Sequence, residues 1–179
     1  VKTVLGYGLD NYTKYAVLSN EQQLTWIDAF NNDTTILRAV DNPFSNEGGV
    51  KLLTGNLGRS VSKISAIAEE YRYVKAPAQV FHTQDDMLSA YKAGELNKDV
   101  VVVLKYQGPR ANGMPELHKL IPALLSLQDQ GYKVALVTDG RMSGASGKVP
   151  NAIHLTPETL NNENFAKIID GDIIELDLN

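Results

Sequence analysis

Residues 99–106 read DVVVVLKY and residues 132–138 read YKVALVT, two short runs that are apolar at consecutive rather than alternating positions. A strand of that kind is covered on both faces, which is the condition of a central strand in a parallel sheet packed between layers. Between them, PELHKLIPALLSLQDQG (115–131) has helical spacing of apolar residues, Pro115 in a position suited to a first turn and Gly131 as a stop. Pro122 is expected to bend this helix. Strand, loop, helix, strand over 99–138 predicts one βαβ unit with a parallel pair and a right-handed crossover. Open α/β sheets bind ligands beyond the carboxy ends of such strands. That puts QGPRANGMPE (107–116) and DGRMSGASGKVP (139–150) on one functional edge.

The rest of the chain organises around this unit. VKLLTG, VSKISAI and YRYVKAPAQVFH read as strands rich in Val, Ile and Tyr between Gly, Asn and Pro. Thr83 opens a helix through TQDDMLSAYKAGEL, with Asp86 in the capping-box position and Met87, Tyr91 and Leu96 toward the core. AIHLTP and DIIELDL supply further strands. The first 45 or so residues read as an arm rather than a core, with a short helix expected over EQQLTWIDAF (21–30) before the turn-forming NNDTT.

Composition excludes several classes. The 179 residues contain no cysteine, so a disulfide or a thiolate-bound metal built from this chain alone is ruled out. A net charge of -4 with no dominant basic face speaks against nucleic-acid binding. No apolar run approaches the roughly 20 residues that cross a bilayer, so no membrane partner is expected. VKTVLGYGLDNYTKY has no signal-peptide core, which makes the cytoplasm the expected compartment.

The loop GRMSGASGK resembles a phosphate loop only superficially. Met142 stands where the Walker pattern needs Gly, and Val149 replaces its Ser or Thr. The glycines still allow a looser anion nest of backbone amides. Ser143 and Ser146 are the nucleophile-type side chains there, flanked by Arg141 and Lys148. They read either as a Gly/Ser surface turn or as a site where a hydroxyl, its pKa lowered by a nearby cation, handles a proton. Glu116, in the expected first turn of the 115–131 helix, is either a helix-dipole acid or a ligand for a hard cation such as Mg²⁺. Arg110, Lys119 and Lys148 are candidates for binding a phosphate. His82, His118 and His154 are too scattered to form a metal site.

The strings GGVKLLTGNLGRSVSKISA, APAQVFHTQDDM, VVVLKYQGPRANGMPELHKL and VALVTDGRMSGASGKVPNAIHLTPE, in this order over most of 44–179, resemble the carboxy-terminal part of the dihydroxyacid dehydratase/6-phosphogluconate dehydratase family. RANGMPELHKL and GRMSGASGKVP look like its phosphogluconate branch. The resemblance implies an α/β fold, a swivelling β/β/α barrel-like domain (44–179) of mixed sheets and few helices, preceded by an interdomain arm (1–43). It implies dehydration of a phosphorylated sugar acid, 6-phosphogluconate, as in the Entner–Doudoroff pathway, assisted by an iron–sulfur cluster whose cysteines lie outside this chain, and by Mg²⁺. By the same resemblance Ser143 is the proposed base, Glu116 a Mg²⁺ ligand, and Arg141, Ser146, Lys148 and Arg110 are substrate-binding candidates. Where some sugar-acid relatives carry Thr, this chain has Ala145. The implied partners are the amino-terminal domain of the same protein and a second copy in a homodimer. A dihydroxyacid or aldonate dehydratase domain, or a non-catalytic assembly or anion-binding domain, are the alternatives.

Overall fold

In the computed structural model, residues 2–4, 6–30, 33–142 and 147–179 are described. The chain divides into two compact units, 1–46 and 47–179. The first contains two hairpins, β1 (Lys2–Thr3) with β2 (Gly6–Tyr7) and β3 (Lys14–Leu18) with β4 (Leu24–Asp28). The helix expected over 21–30 is therefore a strand. Leu24, Thr25, Trp26 and Ile27 are good strand formers, and Gln22 adopts a φ of 59° in a tight turn closed by Ser19 N–H to the Gln23 carbonyl at 2.8 Å. That turn folds the segment back onto 14–18, and pairing across the hairpin supplies the hydrogen bonds a helix would have made internally.

The second unit is built on one mixed seven-stranded sheet. Its strands are β5 (Val50–Gly55), β6 (Gly58–Lys63), β7 (Tyr73–Phe81), β8 (Val100–Leu104), β9 (Val134–Thr138), β10 (Asn151–Thr156) and β11 (Ile173–Asp177), in the order β11-β7-β8-β9-β10-β6-β5. β7 through β10 run parallel, while β11 joins one side and β6–β5 the other in antiparallel fashion. β8 and β9 are buried at every position, as their unbroken apolar runs require. Val100, Val102, Leu104, Val134 and Leu136 pack with α1 (Gln84–Lys92) and α2 (Leu120–Asp129). Their alternate neighbours Val101, Val103, Ala135 and Val137 form a second core with Phe165 of α3 (Glu163–Lys167). β5 and β11 stand at opposite ends of the strand order, yet both line one cavity of about 430 Å³, and Lys51 Nζ donates to the Leu178 carbonyl at 3.4 Å. The sheet is therefore curled toward closure, and the expected α/β, barrel-like arrangement with few helices is what is found. Among the described residues no helix is long and apolar enough to cross a membrane.

The helices depart from expectation in informative ways. Thr83 caps α1 by accepting the Asp86 N–H at 3.1 Å, but the Asp86 carboxylate accepts a hydrogen bond from the Thr83 hydroxyl at 2.6 Å instead of reaching back to its amide. Aspartate is one methylene shorter than the glutamate of a full capping box. α1 stops at Lys92, with Gly94 at φ 77°, and Leu96 reaches full burial from beyond the helix. α2 begins at Leu120 rather than Pro115. Pro122 thus lies in the first turn, where its missing N–H costs no helical bond, and it has no helix interior to bend. Glu116 consequently precedes α2 and cannot act on its dipole in a first turn. It forms an isolated parallel bridge with Arg141, and the Leu117 N–H donates to the Arg141 carbonyl at 3.2 Å. Those pairings hold 116–117 extended.

Candidate active site

Because β7 through β10 are parallel, the segments that follow them emerge on one edge. A buried carboxylate ties three of these segments together. Asp139, 1% exposed and directly after β9, accepts the Gln107 N–H on Oδ1 at 2.8 Å. Its Oδ2 accepts the Thr159 N–H at 2.8 Å and the Thr159 hydroxyl at 2.6 Å. Three donors offset the desolvation of the charge, as a buried carboxylate requires. Gln107 is itself buried, donating from Nε2 to the carbonyls of His82 and Lys105 and accepting from Asn112 Nδ2. The loop after β8 is thus pinned from β7, β9 and β10 at once.

A second carboxylate shapes the same loop. Glu158, 8% exposed, accepts the Arg110 N–H at 3.0 Å and the Ala111 N–H at 3.3 Å. It lies so close over Gly108 that a Cβ there would meet its Oε2 at 2.2 Å. Only glycine allows that approach. Gly140 is equally confined, since a Cβ would fall 2.6 Å from Leu117 Cδ1 and 2.7 Å from Gln107 Cβ. Tyr106, Met114 and His154 adopt positive φ values of 60°, 53° and 54°. Among the described residues the only other non-glycine in that region is Gln22 of the β3–β4 turn. Strained backbone of this kind collects where surrounding structure enforces it, often at functional sites.

Lys105, 4% exposed, donates from Nζ to the carbonyls of Ala166 and Ile168 at the end of α3. Burial pushes its ammonium below the ordinary lysine value, with Asp172 and Asp170 opposing that shift.

The sequence candidates distribute unevenly over this edge. Arg141 and Glu116 come together: Nη1 lies 3.0 Å from Glu116 Oε2, with the side chains 48% and 29% exposed, and Arg141 Nε donates to the Met114 carbonyl at 2.8 Å. Arg110 is fixed through its backbone by Glu158, and its Nη1 donates to Asn161 Oδ1 at 3.3 Å. Lys148 is exposed; its carbonyl accepts Gln128 Nε2 of α2 at 3.4 Å. His118 and Lys119 are exposed ahead of α2. Ser143 and Ser146 lie outside the described residues, but the stems on either side are anchored, with Met142 8% and Val149 0% exposed. Among the described residues no three His, Cys, Asp or Glu side chains gather as a metal site. The Glu116 carboxylate is of the oxygen-donor type that hard cations accept and is ion-paired with Arg141, and a chain without cysteine offers no thiolate to a cluster.

Asp139, Gln107, Glu158 and Thr159 were not singled out from the sequence. One signal was present: a carboxylate immediately after a strand buried at every position must either reach solvent or find donors, and this one finds donors.

The sequence model described as dihydroxy-acid/6-phosphogluconate dehydratase C-terminal matches residues 35–179. The chain belongs to the dihydroxy-acid/6-phosphogluconate dehydratase family. The family expected from the strings in the two site loops is therefore the one found. A phosphogluconate dehydratase of Zymomonas mobilis is 55% identical over 177 residues, covering 98% of this chain and 29% of that protein. One from Helicobacter pylori is 60% identical over 172 residues, 95% of this chain and 28% of that protein. A dihydroxy-acid dehydratase of Agathobacter rectalis is 39% identical over 154 residues, 84% of this chain and 27% of that protein. The chain thus spans less than a third of the length of the curated relatives it matches.

Proposed function

We infer that this chain is the carboxy-terminal domain of a hydro-lyase that converts 6-phospho-D-gluconate to 2-dehydro-3-deoxy-6-phospho-D-gluconate and water. The observation that carries this reading is the contrast in identity: 55% and 60% to the two phosphogluconate dehydratases against 39% to the dihydroxy-acid enzyme. In the reaction a proton leaves C2, the C3 hydroxyl departs with a proton as water, and the resulting enol tautomerises to the 2-keto acid. An iron–sulfur cluster and Mg²⁺, bound mainly by residues of an amino-terminal domain, would supply the Lewis-acid pull on the substrate oxygens. Glu116 would be this chain's ligand to the Mg²⁺, exchanging part of its pairing with Arg141 for the cation.

The chain's own residues take the remaining roles. Ser143 takes the C2 proton, its hydroxyl acidified by nearby positive charge. Arg141 and Arg110, with Ser146 and Lys148, bind the anionic ends of the sugar acid. Asp139 and Glu158 hold the loop after β8 in place, so that Arg110 is preorganised rather than ordered on binding. The whole protein acts as a homodimer in the cytoplasm under this reading. Anaerobically prepared full-length protein tests it, by turnover of 6-phosphogluconate, gluconate and a branched 2,3-dihydroxy acid. The phosphorylated acid is expected to have the highest kcat/KM; a preference for either of the others overturns the substrate assignment.

A further inference from the structure

β10 contains an irregularity that the dehydratase reading leaves unused. Its antiparallel register with β6 shifts between Ile153 and Thr156, and within that bulge His154 adopts a φ of 54°. A histidine in the left-handed region is uncommon inside a strand and persists only where neighbours enforce it. Here the His154 N–H donates to the Gly140 carbonyl at 2.9 Å, tying the bulge to the start of the loop that carries Ser143. Bulges near sites serve to re-aim a side chain. This one leaves His154 exposed between buried Ile153 and Leu155, lining a cavity of about 430 Å³ with Pro109, Met114, Asp139, Glu158 and Asn161.

The lining chemistry indicates what that cavity accepts. Both of its carboxylates are occupied by donors, Asp139 by Gln107 and Thr159 and Glu158 by the 110–111 amides. Asn161 Oδ1 is taken by Arg110. Among the described residues no hydrogen bond or ion pair engages the His154 imidazole. The His154 ring is therefore left to meet a ligand, and an imidazole keeps a ring N–H that can donate to an oxygen.

We propose that His154 is a substrate-contacting residue that donates a ring N–H to an anionic oxygen of the sugar acid, its carboxylate or its phosphate. This assignment rests on the dehydratase reading. The test uses the full-length holoenzyme with whichever acid the wild type turns over best, so that a wrong substrate assignment and a wrong residue assignment give different results. His154→Gly removes the ring at a backbone angle glycine accepts freely. His154→Asn and His154→Gln each keep an amide N–H, near the positions of Nδ1 and Nε2 respectively.

Losing a hydrogen bond to a charged group is expected to lower kcat/KM about 10-fold or more in His154→Gly. One of the two amide variants should recover a substantial part of it. If the contact is to the phosphate, the defect falls on 6-phosphogluconate and is small on gluconate; if it is to the carboxylate, both acids suffer alike. A glycine variant within about twofold of wild type overturns the proposal. So does an equal loss in all three variants accompanied by a lowered melting temperature, which would make His154 a structural element of the bulge.

Discussion

Replacing Asp139 with asparagine changes almost no volume and isolates the charge at the centre of the three-loop junction. Asparagine retains one acceptor oxygen. Directed at Thr159, it keeps the bonds that Oδ2 now accepts from the Thr159 N–H and hydroxyl. Its amide nitrogen then faces the Gln107 N–H, which Oδ1 now accepts at 2.8 Å, so two donors meet and a buried N–H loses its partner. The opposite rotamer forfeits two bonds and is worse. An unsatisfied buried donor costs about 1–3 kcal/mol, and the two surviving bonds each lose roughly 1 kcal/mol of charge assistance. The sum is about 3–5 kcal/mol, which partial relaxation reduces to about 2–4 kcal/mol. Against a typical stability of about 5–15 kcal/mol the variant should fold but open more often.

Native-state hydrogen exchange is the suitable assay. The single tryptophan, Trp26, lies in the 1–46 unit and its fluorescence would report on the wrong part of the chain. Exchange at the β8 and β9 amides should accelerate about 30-fold or more, and exchange at the Gln107 amide further still. A loss below about 1 kcal/mol with unchanged Gln107 protection would refute the view that the carboxylate charge organises this edge.

Ser143→Ala in the full-length holoenzyme should lower turnover and C2-proton exchange together by at least about 10²-fold; exchange that survives would remove Ser143 from the role of base. Glu116→Gln should change stability by less than about 1 kcal/mol, because its partner Arg141 is half exposed. The same variant should raise the Mg²⁺ concentration needed for activity, and an unchanged Mg²⁺ titration would count against ligation. Burial holds the Lys105 ammonium below the lysine value of 10.5, so the unfolded chain binds that proton more tightly than the folded one. The stability of wild type relative to Lys105→Met should therefore rise as pH climbs toward 10.5, and a difference between the two urea-unfolding curves that stays flat all the way to 10.5 would contradict this.

Local spacing carried much of this fold. The consecutive apolar positions of 100–104 and 134–137 could be satisfied only by burial on both faces, and Thr83 had a helix-capping partner three residues away. The site loops were legible for the same reason: they follow those two strands, and their strings carry the family likeness. What remained hidden depends on partners distant in sequence. Leu24–Asp28 is a strand because a turn returns it to 14–18, and 116–117 is extended because Arg141 lies beside it. Asp139 became a junction only when Gln107 and Thr159, 32 and 20 residues away, were brought to it. His154 meets the cavity because β10 slips its register against β6. Such contacts follow from which surfaces and polar groups remain unsatisfied once the sheet has assembled, and residue spacing along a chain does not record that.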